Sequence, residues 1–589
     1  MRNIKSFLLI AVLLGSGLSC RKNFLDETPQ DFLSSANAFK TAADFNASVN
    51  NLFRLLRQEL YTSNDNDPFE YTYRTDIALY VPSGNPPNLL GEYTPQPGGF
   101  TTKHWPAWYK IVAEANTIIS RIPTSQLSDD EKKLFEAKGR FFRAFAYRSL
   151  AYLYGGVPLV TEEVTAPKVD YTRATRQQVY AQCIEDLVFA AANLPGITSV
   201  KDGELSNLAA QHLLAEVYIA DGQFQKAVDA ATVVIDDPAT DLMMSRFGNR
   251  KSETPGDVYW DLFRRGNQNR KGAGANTESI LVIQLETDVA GGAASTGIGF
   301  PSGDLYSLER VHPPLVRDVQ LPDATGTKSA FNWPAAEYSS GGRGVGFMAP
   351  SKYFTDKAYQ VQGSGAAPDS VSDIRNANHN FVRKFKVTKS GNSLFPVGSE
   401  IDFANIPAGA KGFNGANLVS GDVYNRAFYP YQTKVTDPYN APTNLYATPS
   451  NPQLPYPYAL KGTAGGTYRD EYLFRLAETY LLRAEAYLGL NNKDAAANDI
   501  NKVRTRSNAS PVLPADVDID FILDERIREF GVEEKRMFTL MRLGKWYDRI
   551  IKCNPFYAPS ATPTYNLWPI PQAEIERNRG AKLEQNPGY

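Results

Sequence analysis

Apolar side chains recur at helical spacing in two separated blocks of this chain. Phe39, Ala42, Ala43, Phe45, Val49, Leu52, Phe53 and Leu56 form a 3.6-residue stripe that predicts a helix over 36–56. Trp108, Ile111, Val112, Ala115, Ile118 and Ile119 predict a second over 107–122. Over 131–154, Phe141, Phe142, Phe145, Leu150, Leu153 and Tyr154 fall three or four apart, and Gly155-Gly156 ahead of Pro158 ends the run. A fourth helix, 176–194, stops at Pro195.

Residues 208–221, the turn from Gly222 to Ala227 and a second helix to Ile235 resemble a tetratricopeptide unit, in which Phe224 and Ala227 pack between two antiparallel helices. The arrangement returns at 473–490, Asn491-Asn492 and 495–504. One such pair cannot cover its own apolar face, so the pairs are expected to stack as a scaffold. Between Thr240 and about Thr467 the pattern breaks: Gly, Pro, Asn, Ser and Tyr crowd the chain, with strand-like runs such as Ile280–Ile283 and Phe381–Phe385. Loops of this extent carry function or pack as a second lobe, so ligand contacts are expected there. The fold class is thus mainly α, tetratricopeptide-like helix pairs forming a scaffold, with a loop-rich irregular lobe carrying short strands. The expected division is 1–19 signal peptide, 20–35 lipidated cysteine and tether, 36–239 first scaffold part with a long ligand loop over 60–104, 240–467 ligand lobe, and 468–589 second scaffold part with an extended tail.

The amino terminus reads as an address. Arg2 and Lys5 precede the apolar run Phe7–Leu14, and Gly15, Ser16, Gly17 and Ser19 lead to Cys20, the order of a bacterial export signal. A cysteine directly after such a region resembles the lipobox of bacterial lipoproteins, in which Cys20 becomes residue one and carries acyl chains. The pattern departs at Gly17, where Leu is favoured. Past residue 20 no apolar run approaches the roughly 20 residues of a bilayer span, so membrane attachment is expected through the lipid anchor only.

Composition narrows the classes. Lys plus Arg number 62 against 64 Asp plus Glu, a net charge of -2, which argues against a protein held to nucleic acid by bulk charge. Cys183 in a helical pattern and Cys553 in a loop-like stretch are expected as unpaired thiols. The 32 Tyr and 31 Phe serve a large core and also supply rings that lie flat on a ligand.

Signatures of common catalytic and cofactor sites are missing. The sequence has no His-Glu-x-x-His, its four histidines (His104, His212, His312, His379) have no ligand spacing, and neither a Gly-x-Ser-x-Gly elbow nor a phosphate loop occurs. Gly342-Arg-Gly344-Val-Gly346 lacks the context of a nucleotide fold and reads as a flexible loop. Asp65-Asn-Asp67 has a calcium-loop start without its glycine or terminal acid. The adjacent acids Asp129-Asp130, Glu162-Glu163, Asp236-Asp237 and Glu533-Glu534 read as a helix start, a loop, a helix end and a charged helix rather than a glycosidase pair. No catalytic residue, metal or cofactor is expected.

Several segments together resemble the SusD/RagB family of outer-membrane nutrient-binding lipoproteins of Bacteroidetes. The carriers are Cys20 with Phe24-Leu-Asp26; Trp108-Tyr109 with Ala115-Asn116; Arg140–Tyr147 leading to Leu153-Tyr-Gly-Gly-Val-Pro-Leu159; Arg475–Ala486; Asp524-Glu-Arg526 with Arg528-Glu-Phe530, Glu534 and Arg536; and Trp568-Pro-Ile-Pro571 with Gln585–Tyr589. Arg526, Glu529, Glu534 and Arg536, with Arg475 and Glu478, have the spacing of solvated helix salt bridges that fix packing. Pro569 and Pro571 stiffen a tail expected to cross the scaffold.

The resemblance implies a non-catalytic protein on the cell exterior, anchored in the outer membrane, that captures glycans, or in some members peptides, and sits as a lid on a SusC-like TonB-dependent transporter. Sugar rings present apolar C–H faces to aromatic side chains and hydroxyls to Asn, Asp and Arg. Two stretches have that composition: 61–80 with Asp65, Asp67, Tyr71, Tyr73, Arg74 and Tyr80, and 331–347 with Trp333, Tyr338, Arg343 and Phe347. Trp260 is a weaker candidate. Peptide binding, a protein-docking scaffold that gates the transporter, and a carbohydrate-cleaving enzyme stay open as alternatives. An open aromatic groove separates a binder from a pure scaffold, and an acid pair across it would mark an enzyme.

Overall fold

The computed structural model describes residues 38–61, 68–83, 86–272, 274–289, 307–333, 342–360, 372–420, 423–437, 440–447, 460–461 and 466–589. Eleven helices of seven or more residues occur among them: α1 (Ala42–Leu60), α2 (Thr101–Arg121), α3 (Asp129–Tyr154), α4 (Arg176–Asn193), α5 (Asn207–Ala220), α6 (Phe224–Ile235), α7 (Leu476–Gly489), α8 (Lys493–Arg506), α9 (Ile519–Glu529), α10 (Arg536–Arg542) and α11 (Trp546–Cys553). Successive helices from α1 to α8 pack on one another, and the stack continues from α6 to α7 although the middle of the chain separates them in sequence. The expected tetratricopeptide-like scaffold is therefore one array assembled from both blocks.

Close approach makes the stack possible. A Cβ at Gly489 of α7 would lie 2.5 Å from the Phe224 ring of α6, so the bare backbone receives the aromatic at the seam between the two blocks. Gly139 does the same for α3 against Ile119 of α2, at 3.1 Å.

Helix ends follow local chemistry where the apolar stripe alone misplaces them. α1 starts at Ala42 rather than 36 because Thr41 is extended and its N–H donates to Asp44 at 2.8 Å. α2 begins at Thr101, six residues before the stripe suggests, and runs through Pro106, which forfeits one backbone bond; buried Trp105 and Trp108 hold that first part against the core. Residues 473–475, expected in the helix that became α7, instead end a strand.

Among the described residues the middle lobe contains short strands in antiparallel pairs and turns of 3-10 helix. Three strands and their partners position everything else: β1 (Ala78–Tyr80), β2 (Ser279–Ile283), β3 (Met348–Pro350) and β4 (Glu471–Arg475). The β2–β4 pair joins the chain leaving the first scaffold part to the chain entering the second, and the Leu476 N–H donates to the Glu278 carbonyl at 2.8 Å. The run 381–385 divides between two pairs, 381–382 with 431–432 and 384–386 with 400–402.

The charges expected to be solvated are buried. Arg475 bonds Glu278 at 2.9 Å and Glu533 at 2.7 Å and also Glu529; Arg506 reaches Glu278 and Glu529; Arg375 holds Asp373, Glu525 and Glu529; and Arg526 joins Glu478 to Glu534, each at 2.6 Å. A helix periodicity places these side chains on a face but does not say that another segment will cover it. The array covers it here, so every carboxylate must be matched by a guanidinium. Cys183 and Cys553 are buried free thiols, and Cys553 closes α11 rather than lying in a loop. The tail crosses the scaffold as its prolines suggest: the Trp568 N–H donates to the Leu153 carbonyl at 2.6 Å, and Asn586 Nδ2 donates to the carbonyls of Tyr154 and Trp568.

Candidate functional site

The two stretches expected to hold the ligand meet through backbone pairing. In β1–β3, Ala78 faces Pro350, Leu79 faces Ala349 and Tyr80 faces Met348. The Val81 N–H donates to the Phe347 carbonyl and the Ser351 N–H to the Ile77 carbonyl, each at 2.8 Å. Tyr80 and Phe347 emerge half-buried at one end, rings edge to face at 6.1 Å.

Trp333 is half-buried, and its Nε1 donates to the Gly344 carbonyl at 2.9 Å, which fixes the plane of the indole. Arg317 and Arg343 lie over that indole, their guanidinium carbons 5.1 and 5.4 Å from its centre. Arg426, which sequence reasoning missed, lies over Phe347 at 4.4 Å and Phe413 at 4.7 Å and donates to the carbonyls of Val345 and Pro82. Nothing in the sequence around Arg317, Phe413 or Arg426 marks them, because loop contacts between distant segments bring them in.

The glycine-rich stretch is a strap rather than a flexible loop. The Val345 N–H donates to the Arg310 carbonyl at 2.7 Å and the Gly346 N–H to the Pro313 carbonyl at 3.0 Å. A Cβ at Gly344 would sit 2.5 Å from the Pro313 and Pro314 carbonyl oxygens, and one at Gly346, whose φ is +70°, would sit 2.1 Å from the Arg426 oxygen. Only glycine allows that approach, and the approach sets the carbonyl that holds Trp333.

Three residues of the first stretch are core instead of surface. Tyr71 is fully buried: its ring stacks on Phe538 at 4.6 Å and Trp568 at 6.0 Å, and its hydroxyl meets Glu59, His104 Nδ1 at 2.9 Å and Trp108 Nε1 at 3.1 Å. Tyr73 is buried between Phe69 and Tyr80. Arg74 is buried over the Phe100 ring at 3.8 Å and paired with Glu92, and its carbonyl accepts from Trp546 Nε1. An alternating Tyr-x-Tyr-Arg reads alike for a platform and for a turn folded inward, and the aromatic floor from α2, α10 and the tail draws it inward. Trp260 is also buried, beneath Arg264 and Arg250. Cys20, Asp65, Asp67 and Tyr338 lie outside the described residues.

His104 forms the polar centre under this floor. Burial opposes its charge, but Glu59 at Nδ1, 2.6 Å, and Glu70 at Nε2, 3.0 Å, raise its pKa to about 9. No described group of His, Cys, Asp and Glu has the arrangement of a metal site. A second opening, a cleft of about 470 Å³, runs along α2 between Tyr109, Pro158, Tyr171 and Leu583; its Asn116 and Asn578 are occupied by backbone bonds to Val160 and Tyr171, and its Glu163 by Arg121. The first site presents a locked ring with cations, which makes it the better platform for a ligand.

A scaffold of stacked helix pairs carrying an irregular lobe with an aromatic surface site is a binding-protein architecture. Residues 321–589 match the model of the SusD family, and residues 23–219 match a model described as starch-binding associating with outer membrane. This chain belongs to the SusD-like family. It is 24% identical to SusD-like protein P2 of Formosa agariphila over 96% of both chains. It is 36% identical to the starch-binding protein SusD of Bacteroides thetaiotaomicron over 135 residues, 22% of this chain and 24% of that one. In structure it is similar to a laminarin-binding SusD-like protein, with a TM-score of 0.62 at 21% identity over 94% of this chain and 100% of the other. It is also similar to surface glycan-binding protein A of Bacteroides thetaiotaomicron in complex with laminarihexaose, with a TM-score of 0.60 at 18% identity over 93% and 100%.

Proposed function

We propose that this chain is a cell-surface lipoprotein, held in the outer membrane by acyl chains on Cys20, that binds an oligosaccharide or polysaccharide and passes it unaltered to a SusC-like TonB-dependent transporter. The observation that carries the reading is Trp333: a half-exposed indole locked by Gly344, with Tyr80 and Phe347 rising from the neighbouring strand pair. A ring held in one orientation accepts the C–H face of a sugar with little further loss of side-chain freedom. Supporting it, the relatives include proteins named for starch, laminarin and surface-glycan binding, and one matching family model is described as associating with the outer membrane.

Peptide-binding members of the class and a scaffold that gates the transporter are the alternatives. A pure scaffold has no need of an aromatic platform, so the locked indole favours the binder. The test is a binding screen of the chain starting after Cys20 against polysaccharides and a peptide digest, with Trp333→Ala beside wild type. Glycan binding that disappears in a well-folded Trp333→Ala supports the reading; peptide binding alone, or glycan binding indifferent to Trp333, overturns it. Co-purification of a barrel transporter with the acylated chain from outer membranes tests delivery, and a Cys20→Ala chain recovered in the soluble fraction tests the anchor.

A further inference from the structure

The surface around Trp333 carries more positive charge than recognition of a neutral sugar needs. Among the described residues Arg317, Arg343 and Arg426 converge on the Trp333–Phe347 surface, whereas the carboxylate paired with them is Asp318, 2.9 Å from Arg317. Arg317 and Asp318 are close enough to Arg426 to act on its charge. Elsewhere in this protein the buried guanidinia are matched by carboxylates, as with Arg475, Arg375, Arg536 and Arg549. Here the match is lacking, at a surface where Arg317 is 52% exposed.

A neutral ring on Trp333 would be served by amide or hydroxyl partners. Guanidinia beside a stacking ring suit an oxyanion, because a guanidinium that meets an indole through its face keeps its N–H donors in its own plane, where they form the paired bonds of an arginine to a carboxylate or sulfate. The strap 342–346 fixes Arg343 through its backbone, and Arg426 is wedged between Phe347 and Phe413, so the cations are held in place before any ligand arrives.

We propose that the glycan bound at Trp333 is anionic, bearing a carboxylate or a sulfate ester on or next to the stacked ring, with Arg317 and Arg343 as its recognition groups. This inference rests on the glycan-binding reading of the same site.

The test is calorimetric titration of the chain starting after Cys20 with four probes of similar length: a neutral β-glucan oligosaccharide, an oligogalacturonate, a sulfated galactan oligosaccharide and polyglutamate. The expected result is tighter binding of the uronate or of the sulfated probe than of the neutral one by about tenfold or more, weakening with added salt. Which of the two binds tells carboxylate from sulfate. Arg317→Gln, an exposed position that the fold does not need, and Arg343→Gln should each lose about tenfold on the anionic probe and leave the neutral probe unchanged. Preference for the neutral glucan with no effect of either arginine overturns the anionic inference and leaves glycan binding standing. Preference for polyglutamate, or binding of none of the four, overturns both.

Discussion

Asp76 Oδ2 lies 2.7 Å from Arg536 Nη2, joining positions 460 residues apart in the chain. Arg549 reaches the same carboxylate at 2.9 Å, and all three side chains are buried. Asp76 directly precedes the residues that form β1, so this contact ties the strand bearing Tyr80 to α10 and α11.

Replacing Asp76 by Asn leaves two buried guanidinia without their counter-charge and is expected to cost about 3–5 kcal/mol in denaturant unfolding. The same pair makes an acid-sensitive element. Burial by itself raises the Asp76 pKa, but Arg536 and Arg549 outweigh it and hold it at about 2. Its stabilisation is complete above the unfolded carboxylate value near 4 and is lost as pH falls toward 2, roughly 2–3 kcal/mol in all. Unfolding curves of wild type and Asp76→Asn across that window should converge at the acid end; parallel curves would count against the assignment.

His104 works at the other end of the scale. With its folded pKa near 9 and an unfolded value near 6.5, its contribution is fully present below pH 6.5 and fades as pH rises through 9. A loss of about 3 kcal/mol over that interval is expected in wild type and should be absent in His104→Gln. A ring-proton NMR titration of His104 with a midpoint near or below 6.5 would contradict the Glu59–His104–Glu70 arrangement.

Tyr71 and Trp333 should separate stability from binding. Tyr71→Ala empties a stacked position between Phe538 and Trp568 and is expected to destabilise by about 3–5 kcal/mol. Trp333→Ala, at a half-exposed site, should leave cooperative unfolding close to wild type while abolishing ligand binding, and Trp333→Phe should keep part of it. A Tyr71→Phe chain that loses affinity without losing stability would return Tyr71 to the ligand.

The strap makes a backbone prediction. Gly346→Ala places a methyl group against the Arg426 oxygen at a φ of +70°, so it should weaken ligand affinity by displacing Arg426 and the Gly344 carbonyl that orients Trp333. Gly391, at φ +104° with open space around its Cβ position, is the control: alanine there is expected to leave binding unchanged.

Sequence reasoning located most of the scaffold because amphipathic helices announce themselves locally. The stripes over α1 to α6, the Gly155 stop and the Phe224 turn all depend on neighbours a few residues away. It erred at helix starts, where a single cap such as Thr41 with Asp44 decides, and at 473–475, where the partner strand is nearly 200 residues distant. In the site it reached Trp333, Tyr80 and Arg343 through composition and missed Arg317, Phe413 and Arg426, which have no local signature.

The sequence by itself determined the kind of elements, the two helical blocks and the likeness that links segments from Cys20 to Tyr589, because each depends on short-range periodicity or on an ordered set of motifs. Which aromatics face outward was decided only by the tertiary structure. Tyr71, Tyr73 and Arg74 point into a floor built by α2, α10 and the tail, whereas Trp333 is turned outward by a strap that only glycines allow. Burial is a property of the covering segment as much as of the residue, and the covering segment comes from far along the chain.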